Sequence, residues 1–137
     1  MIDLESDVFD YLAKILRAKY SKIFVTGEYV EAPASFPAVT IVEADNRIVD
    51  RMRTLHIENA VSVMYEINIY SNKSSGKKAE AKAIANTLDE AMAEKGFTRS
   101  FREQIPNLKD ATIYRIVIRY QGVIGRTNNE KYLIYQS

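Results

Sequence analysis

The chain of 137 residues has no cysteine, no tryptophan and only one histidine, His56. Without cysteine it can form neither a disulfide framework nor a thiolate metal site. The histidine lies in an irregular stretch, and no Gly-x-Ser-x-Gly motif accompanies it, so a Ser–His nucleophile pair has no support. Calcium-binding loops of the Asp-x-Asp-x-Asp-Gly type are also missing. We therefore predict that the protein is not an enzyme and has no catalytic, metal-binding or cofactor-binding residues.

Long apolar runs and a charge excess are missing as well. No stretch approaches the roughly 18 apolar residues of a transmembrane helix, and the acidic start of the chain is unlike a secretory signal. Lysine and arginine total 19 against 18 acidic residues, without the basic excess of a freely acting nucleic-acid binder. We expect one domain over residues 1–137, made in the cytoplasm and with no membrane partner.

Two stretches have the apolar spacing of amphipathic helices. The first covers residues 3–18, with acidic residues in its first turns and basic residues at its end, as the helix dipole favours. The second covers about residues 76–95, with Ser74 or Ser75 as the expected N-cap and Gly96 as the left-handed residue after its end. Its apolar stripe consists of Ala81, Ile84, Ala85, Leu88 and Met92.

Alternating apolar and polar residues from Val61 to Tyr70 predict a long strand with one face on a core. Residues 111–124 form the longest predicted strand, where Gly122 and Gly125 are typical of a bulge or bend. Shorter strands are predicted at residues 23–26, 38–43, 97–104 and 132–135. We predict an α+β fold, with an antiparallel or mixed β-sheet, two helices packed on one face, and an extended arm or hairpin over residues 46–59.

The second helix has its charges in the unfavourable order. Lysines crowd its start and carboxylates its end, which opposes the helix dipole by roughly 0.3–1 kcal/mol per exposed charge. Free drift of surface charges would explain this order, and so would a head-to-tail contact between copies, in which the basic end of one meets the acidic end of the next. The candidate subunit-interface residues are Lys77, Lys78, Lys82, Asp89, Glu90 and Glu94.

The irregular arm carries three further candidates, Arg47, Arg51 and Arg53. Functional residues concentrate in irregular segments, so these arginines are candidate arm contacts with a DNA passage or with a partner protein. A solvated loop is the alternative.

The second half of the chain resembles a known family in its order of elements and in two runs of residues. One run joins the strand end at residues 65–72 to Gly76-Lys77-Lys78, and the other leads from Ile105-Pro106-Asn107 to Tyr114-Arg115. With residues 38–124 as a whole, they resemble the tail terminator (tail completion) proteins of phages and phage-derived tail-like particles of Gram-positive bacteria.

The resemblance implies a structural assembly protein of the virion tail or tail-like particle, assembled in the host cytoplasm. Such a protein forms a ring, expected to be a homohexamer, which caps the tail tube and ends tail polymerisation. Its implied partners are the tail tube protein, the sheath protein of contractile tails and the head-side connector or collar. DNA is expected to pass through the ring lumen without sequence-specific contact. No cofactor is implied.

Two other functions fit the same sequence. One is another component of the head-tail neck, such as a stopper or a minor capsid protein. The other is a small non-catalytic ligand-binding or regulatory α+β domain, which would have an apolar pocket with convergent polar groups.

Overall fold

A computed structural model describes residues 4–30, 33–48, 60–107, 110–126 and 132–135. The two helices are α1 (Glu5–Lys19) and α2 (Lys77–Glu94). The strands are β1 (Phe24–Thr26), β2 (Ala38–Ile48), β3 (Ala60–Ser71), β4 (Thr98–Gln104), β5 (Tyr114–Arg126) and β6 (Tyr132–Tyr135).

The strands form one sheet in the order β1-β2-β3-β5-β4, and β6 pairs with the final residues of β5. The pairing of β1 with β2 is parallel and the other pairings are antiparallel, so the sheet is mixed. Helix α2 packs on β3, β4 and β5, whereas α1 packs on β2 and α2. The predicted α+β fold, with two helices and a mixed sheet, is confirmed.

The core lies between the helices and one face of the sheet. The predicted alternation is confirmed for β3, because its odd-numbered residues from Val61 to Ile69 are buried in this core. The apolar stripe of α2 is buried against them as predicted, and α1 adds Leu12 and Leu16. Each fully buried aliphatic side chain stabilises the fold by about 1.5–3 kcal/mol, so this layer fixes how the helices sit on the sheet.

Gly122 has a packing role that differs from its predicted one. β5 pairs with β3 without a register shift at this position, so the predicted bulge or bend is not a bulge in this pairing. The reason for glycine is close approach, since a Cβ on Gly122 would lie 2.7 Å from Cδ1 of Phe97. The Phe97 ring in turn packs edge-on against Tyr65, with 5.7 Å between ring centroids. The sheet has its bulges elsewhere, in β2 between Glu43 and Asp45 and in β4 between residues 99 and 101.

The start of α2 also differs from its prediction. The N-cap is Gly76, which has a left-handed φ of 88° and no side-chain cap hydrogen bond, so the prediction of Ser74 or Ser75 is wrong. Glycine adopts this conformation without the steric cost that a Cβ brings. At the other end Gly96 has a φ of 89°, which confirms its predicted left-handed conformation.

The first three residues of the predicted arm, 46–48, belong to a strand. β2 continues to Ile48, so Asn46, Arg47 and Ile48 pair with β3 as part of the sheet. Residues 49–59 of the predicted arm lie outside the described residues.

Candidate functional site

The charged candidates on α2 extend from its first residue, Lys77, to its last, Glu94. The helix starts after β3 ends and finishes before β4 begins, so it runs along the strands. Near its start the ammonium group of Lys77 donates a hydrogen bond to the Thr112 carbonyl at 3.1 Å. Near its end Asp89 contacts the side chain of Tyr120 on β5. Arg102 of β4 joins the two sets, because it lies beside Lys78 and Lys82 and donates to Asp89 at 3.0 Å.

The first surface is a basic groove at the β4 edge of the sheet. We define the basic groove by the cations of Lys78, Lys82 and Arg102 above a floor of Tyr114 and Ile116, with a volume of about 240 Å³. Glu103 and Gln104 of β4 complete its rim. Both lysines are exposed. The groove therefore offers two exposed positive charges beside a small apolar floor.

The second surface is an acidic groove at the β1 edge. We define the acidic groove by the carboxylates of Glu5, Asp10 and Glu28 around Phe9 and Ile41, with a volume of about 440 Å³. The backbone N–H of Glu43 on β2 donates to a carboxylate oxygen of Glu5 at 2.9 Å, and this hydrogen bond ties the start of α1 to the sheet. The side chains of Asp10 and Glu28 are exposed.

Asp89 is held by groups of its own chain. The Tyr120 hydroxyl donates to its Oδ1, while Arg99 and Arg102 donate to its Oδ2 at 2.8 and 3.0 Å. Burial, followed by the hydrogen bond to Asp89, raises the pKa of Tyr120 above its usual value. The two arginines offset the unfavourable position of this carboxylate in the second half of α2. Two of the remaining candidates, Glu90 and Glu94, are exposed.

Of the three arm candidates, only Arg47 lies among the described residues. Arg47 lies on β2 opposite Ser62, and its side chain is 78% exposed. Its Nε contacts a carboxylate oxygen of Asp45 at 2.6 Å, a surface ion pair of the kind that contributes at most about 1 kcal/mol. Arg51 and Arg53, together with His56, lie outside the described residues.

A third recess lies between the two helices. It measures about 190 Å³ and is lined mainly by apolar groups, among them Val8, Met92 and Phe97. Tyr11 lies at this recess, donates its hydroxyl to the Ala91 carbonyl at 3.2 Å, and has a pKa raised mainly by burial. Within the described ranges there is no group of three or more His, Cys, Asp or Glu residues arranged to hold a metal ion. No helix in the same ranges is long and apolar enough to cross a membrane.

Several groove residues did not stand out in the sequence. Glu5 and Asp10 are explained locally by the dipole of α1, and Glu28 and Arg102 belong to no motif. Only the strand order brings Arg102 beside α2 and Glu28 beside α1. The one local feature that pointed to a groove was the cluster of lysines at the start of α2, because lysines there oppose the helix dipole.

Comparison with known proteins gives a likeness in fold. No family model matches the chain, and no curated protein matches it. Among solved structures, one similar chain belongs to the virion of a native gene transfer agent particle. The two chains are 14% identical, the match covers 83% of this chain and 91% of that chain, and the TM-score is 0.55. At this level of identity the likeness shows a shared fold.

Proposed function

We propose that the protein is a structural component of a phage-like particle and, more narrowly, a tail terminator. In this role it forms a ring, most simply a homohexamer, on the end of the tail tube. The ring ends tail polymerisation and presents a surface to the head-side connector or collar. The role is non-catalytic, and the protein belongs to the virion tail or tail-like particle.

The observation that carries this proposal is the fold likeness to a chain of the gene transfer agent virion. It extends over 83% of this chain and 91% of the other, so it concerns the whole domain rather than one motif. The resemblance of residues 38–124 to tail terminators is independent of that comparison, because it rests on sequence. The two findings agree on a phage-like particle, and the sequence adds the narrower role.

The surface of the molecule suits assembly by copies of one chain. It has a groove of each charge sign at opposite edges of the sheet, which is what a head-to-tail interface uses. The α2 lysines Lys77, Lys78 and Lys82 remain our proposed subunit contacts, and the acidic end of α2 (Asp89, Glu90 and Glu94) is one of two acidic surfaces available to them. Arg47, Arg51 and Arg53 remain proposed contacts with the lumen or with a partner, and DNA then passes them without base readout. The tube protein and, in contractile tails, the sheath are the other proposed partners.

A ligand-binding or regulatory role has less support. Pockets for small molecules usually measure about 300–1,000 Å³ and are mostly apolar. The apolar recess between the helices is smaller, at about 190 Å³, and the larger acidic groove is lined by carboxylates. A stopper or minor capsid protein of the neck is the alternative within the particle.

The decisive experiment is negative-stain imaging of particles from cells with and without the gene. We expect tails of uncontrolled length when the gene is deleted, and normal length when the wild-type gene is returned in trans. Tails of normal length that fail to join heads would favour another neck component. Normal tails joined to heads would refute both and favour the regulatory role.

A further inference from the structure

We infer that neighbouring copies in the proposed ring meet edge to edge, with the basic groove of one copy against the acidic groove of the next. This inference rests on the proposed ring and names the surfaces that close it. The partner of each groove is a second copy of this chain.

Charge complementarity is the first argument. The basic groove presents the exposed cations of Lys78 and Lys82, while its Arg102 is bonded to Asp89 of the same chain and one carboxylate lies at its rim. The acidic groove presents three carboxylates and no cation among its lining residues. Grooves of opposite sign attract each other, whereas two copies turned basic side to basic side repel. The pairing therefore selects a head-to-tail order.

The position of the grooves is the second argument. Ile41, which lines the acidic groove, pairs with Ile67 on β3, and Ile67 pairs with Ile118 on β5. Ile118 then pairs with Arg102 of the basic groove. One transverse row of the sheet thus joins the grooves, so they lie at the same height along the strands. A head-to-tail contact between the two grooves can close into a ring when successive copies are related by a rotation alone.

The acidic end of α2 is the competing partner for the same lysines. One of its three carboxylates, Asp89, is already bonded to two arginines and a tyrosine of its own chain. Glu90 and Glu94 remain exposed, but they lie on the surface of the helix rather than in a groove of matching position. A test must therefore separate the acidic groove from the acidic end of α2.

Substitutions that exchange the charges of the two grooves distinguish the acidic groove from the acidic end of α2. The basic-groove variant carries Lys78→Glu and Lys82→Glu, and the acidic-groove variant carries Asp10→Lys and Glu28→Lys. Each variant alone should lose self-association by roughly 100-fold or more, because like charges then meet. An equal mixture, or one chain with all four changes, should assemble again. Sedimentation velocity measures the oligomer in each case.

Two controls keep the result specific. Glutamates near the start of α2 favour the helix dipole, so the basic-groove variant should melt no lower than wild type, and lost assembly then reports the interface. A variant with Lys14→Glu and Arg17→Glu changes exposed charges on α1 outside both grooves and should assemble normally. Restoration of assembly by Glu90→Lys with Glu94→Lys, but not by the acidic-groove variant, would overturn the inference in favour of the α2 pairing.

Covalent capture covers the case in which rings form only on a tube end. The chain has no cysteine, so Glu28→Cys with Lys82→Cys creates the sole pair of thiols. A short permeable bismaleimide, added to particle-producing cells, should yield a ladder of covalent oligomers. Lys14→Cys with Lys82→Cys is the matched control and should yield none. No ladder, or equal ladders from both pairs, would overturn the inference.

The inference and the proposed function fail in different ways. A crosslinked ladder, combined with normal particles in the deletion strain, would support the edge-to-edge contact and reject the terminator role. Overlong tails in the deletion strain without a ladder would keep the role and reject this contact.

Discussion

Replacement of Asp89 should weaken the fold more than its partly exposed position on α2 suggests. Its carboxylate accepts hydrogen bonds from Tyr120, Arg99 and Arg102, and so joins α2 to β4 and β5. Tyr120 is only 1% exposed, so Asp89→Ala leaves a buried hydroxyl without its acceptor, at a cost of about 1–3 kcal/mol. The arginines are partly solvated, and losing both ion pairs adds at most about 1 kcal/mol.

We therefore expect a loss of about 2–3 kcal/mol in the free energy of unfolding for Asp89→Ala. In a chain of this size that lowers the melting temperature by roughly 8–12 °C. Urea unfolding followed by circular dichroism measures it as a lower midpoint with an unchanged slope. Asp89→Asn retains an oxygen for the tyrosine and should lose less.

The exposed neighbour Glu90 provides the matched control. Glu90→Ala should change the free energy of unfolding by no more than about 0.5 kcal/mol, as is usual for surface substitutions. Equal stability of the Asp89→Ala and Glu90→Ala variants would refute the reasoning, because the polar contacts would then contribute nothing.

Two further substitutions test single contacts. Because the pKa of Tyr120 is raised by folding, its contribution to stability is intact below about pH 10 and is lost as the pH rises further. Tyr120→Phe should cost about 1 kcal/mol at neutral pH yet make alkaline unfolding less steep, and a pH series of melts that falls as steeply as wild type would contradict this. Gly122→Ala should destabilise by about 1–3 kcal/mol because its Cβ meets Phe97, whereas Gly27→Ala, with 3.8 Å to its nearest neighbour, should be tolerated. Equal melting temperatures for the two alanine variants would show that the Phe97 ring moves aside freely.

The regular elements could be predicted because their signals are local. Apolar residues two apart on β3 and three or four apart on α2 report directly which side faces the core. The conformation of Gly96 could also be predicted, since a glycine directly after a helix is usually left-handed. The N-cap of α2 could not, because either a serine or the neighbouring glycine can begin a helix, and here the glycine does.

The extension of β2 was hidden by its bulge. Before the bulge, alternate residues such as Val39 and Ile41 face the helices; after Glu43 the alternation shifts by one position. A period-two pattern that changes phase looks irregular in sequence, so residues 46–48 resembled a loop. A bulge is set by the register of the neighbouring strand, which a sequence alone does not reveal.

The grooves were not predictable for a similar reason. Each one combines charges that are far apart in the chain, such as Lys82 with Arg102 or Asp10 with Glu28. The order of strands in the sheet creates these neighbours. The misplaced charges of α2 were the one local feature that pointed to any groove residue, and they pointed only to Lys78 and Lys82.

The unequal lengths of the strand pairings have a mechanical consequence. β3 is paired with β5 along its whole length, from Ala60 to Ser71, whereas β1 is held to β2 only over Phe24–Thr26. A pull along the strands loads the long central ladder in shear, where its hydrogen bonds resist together. A pull across the sheet at the β1 edge instead separates a few bonds in sequence. The molecule should therefore bear axial tension through its centre and yield first by peeling at that edge.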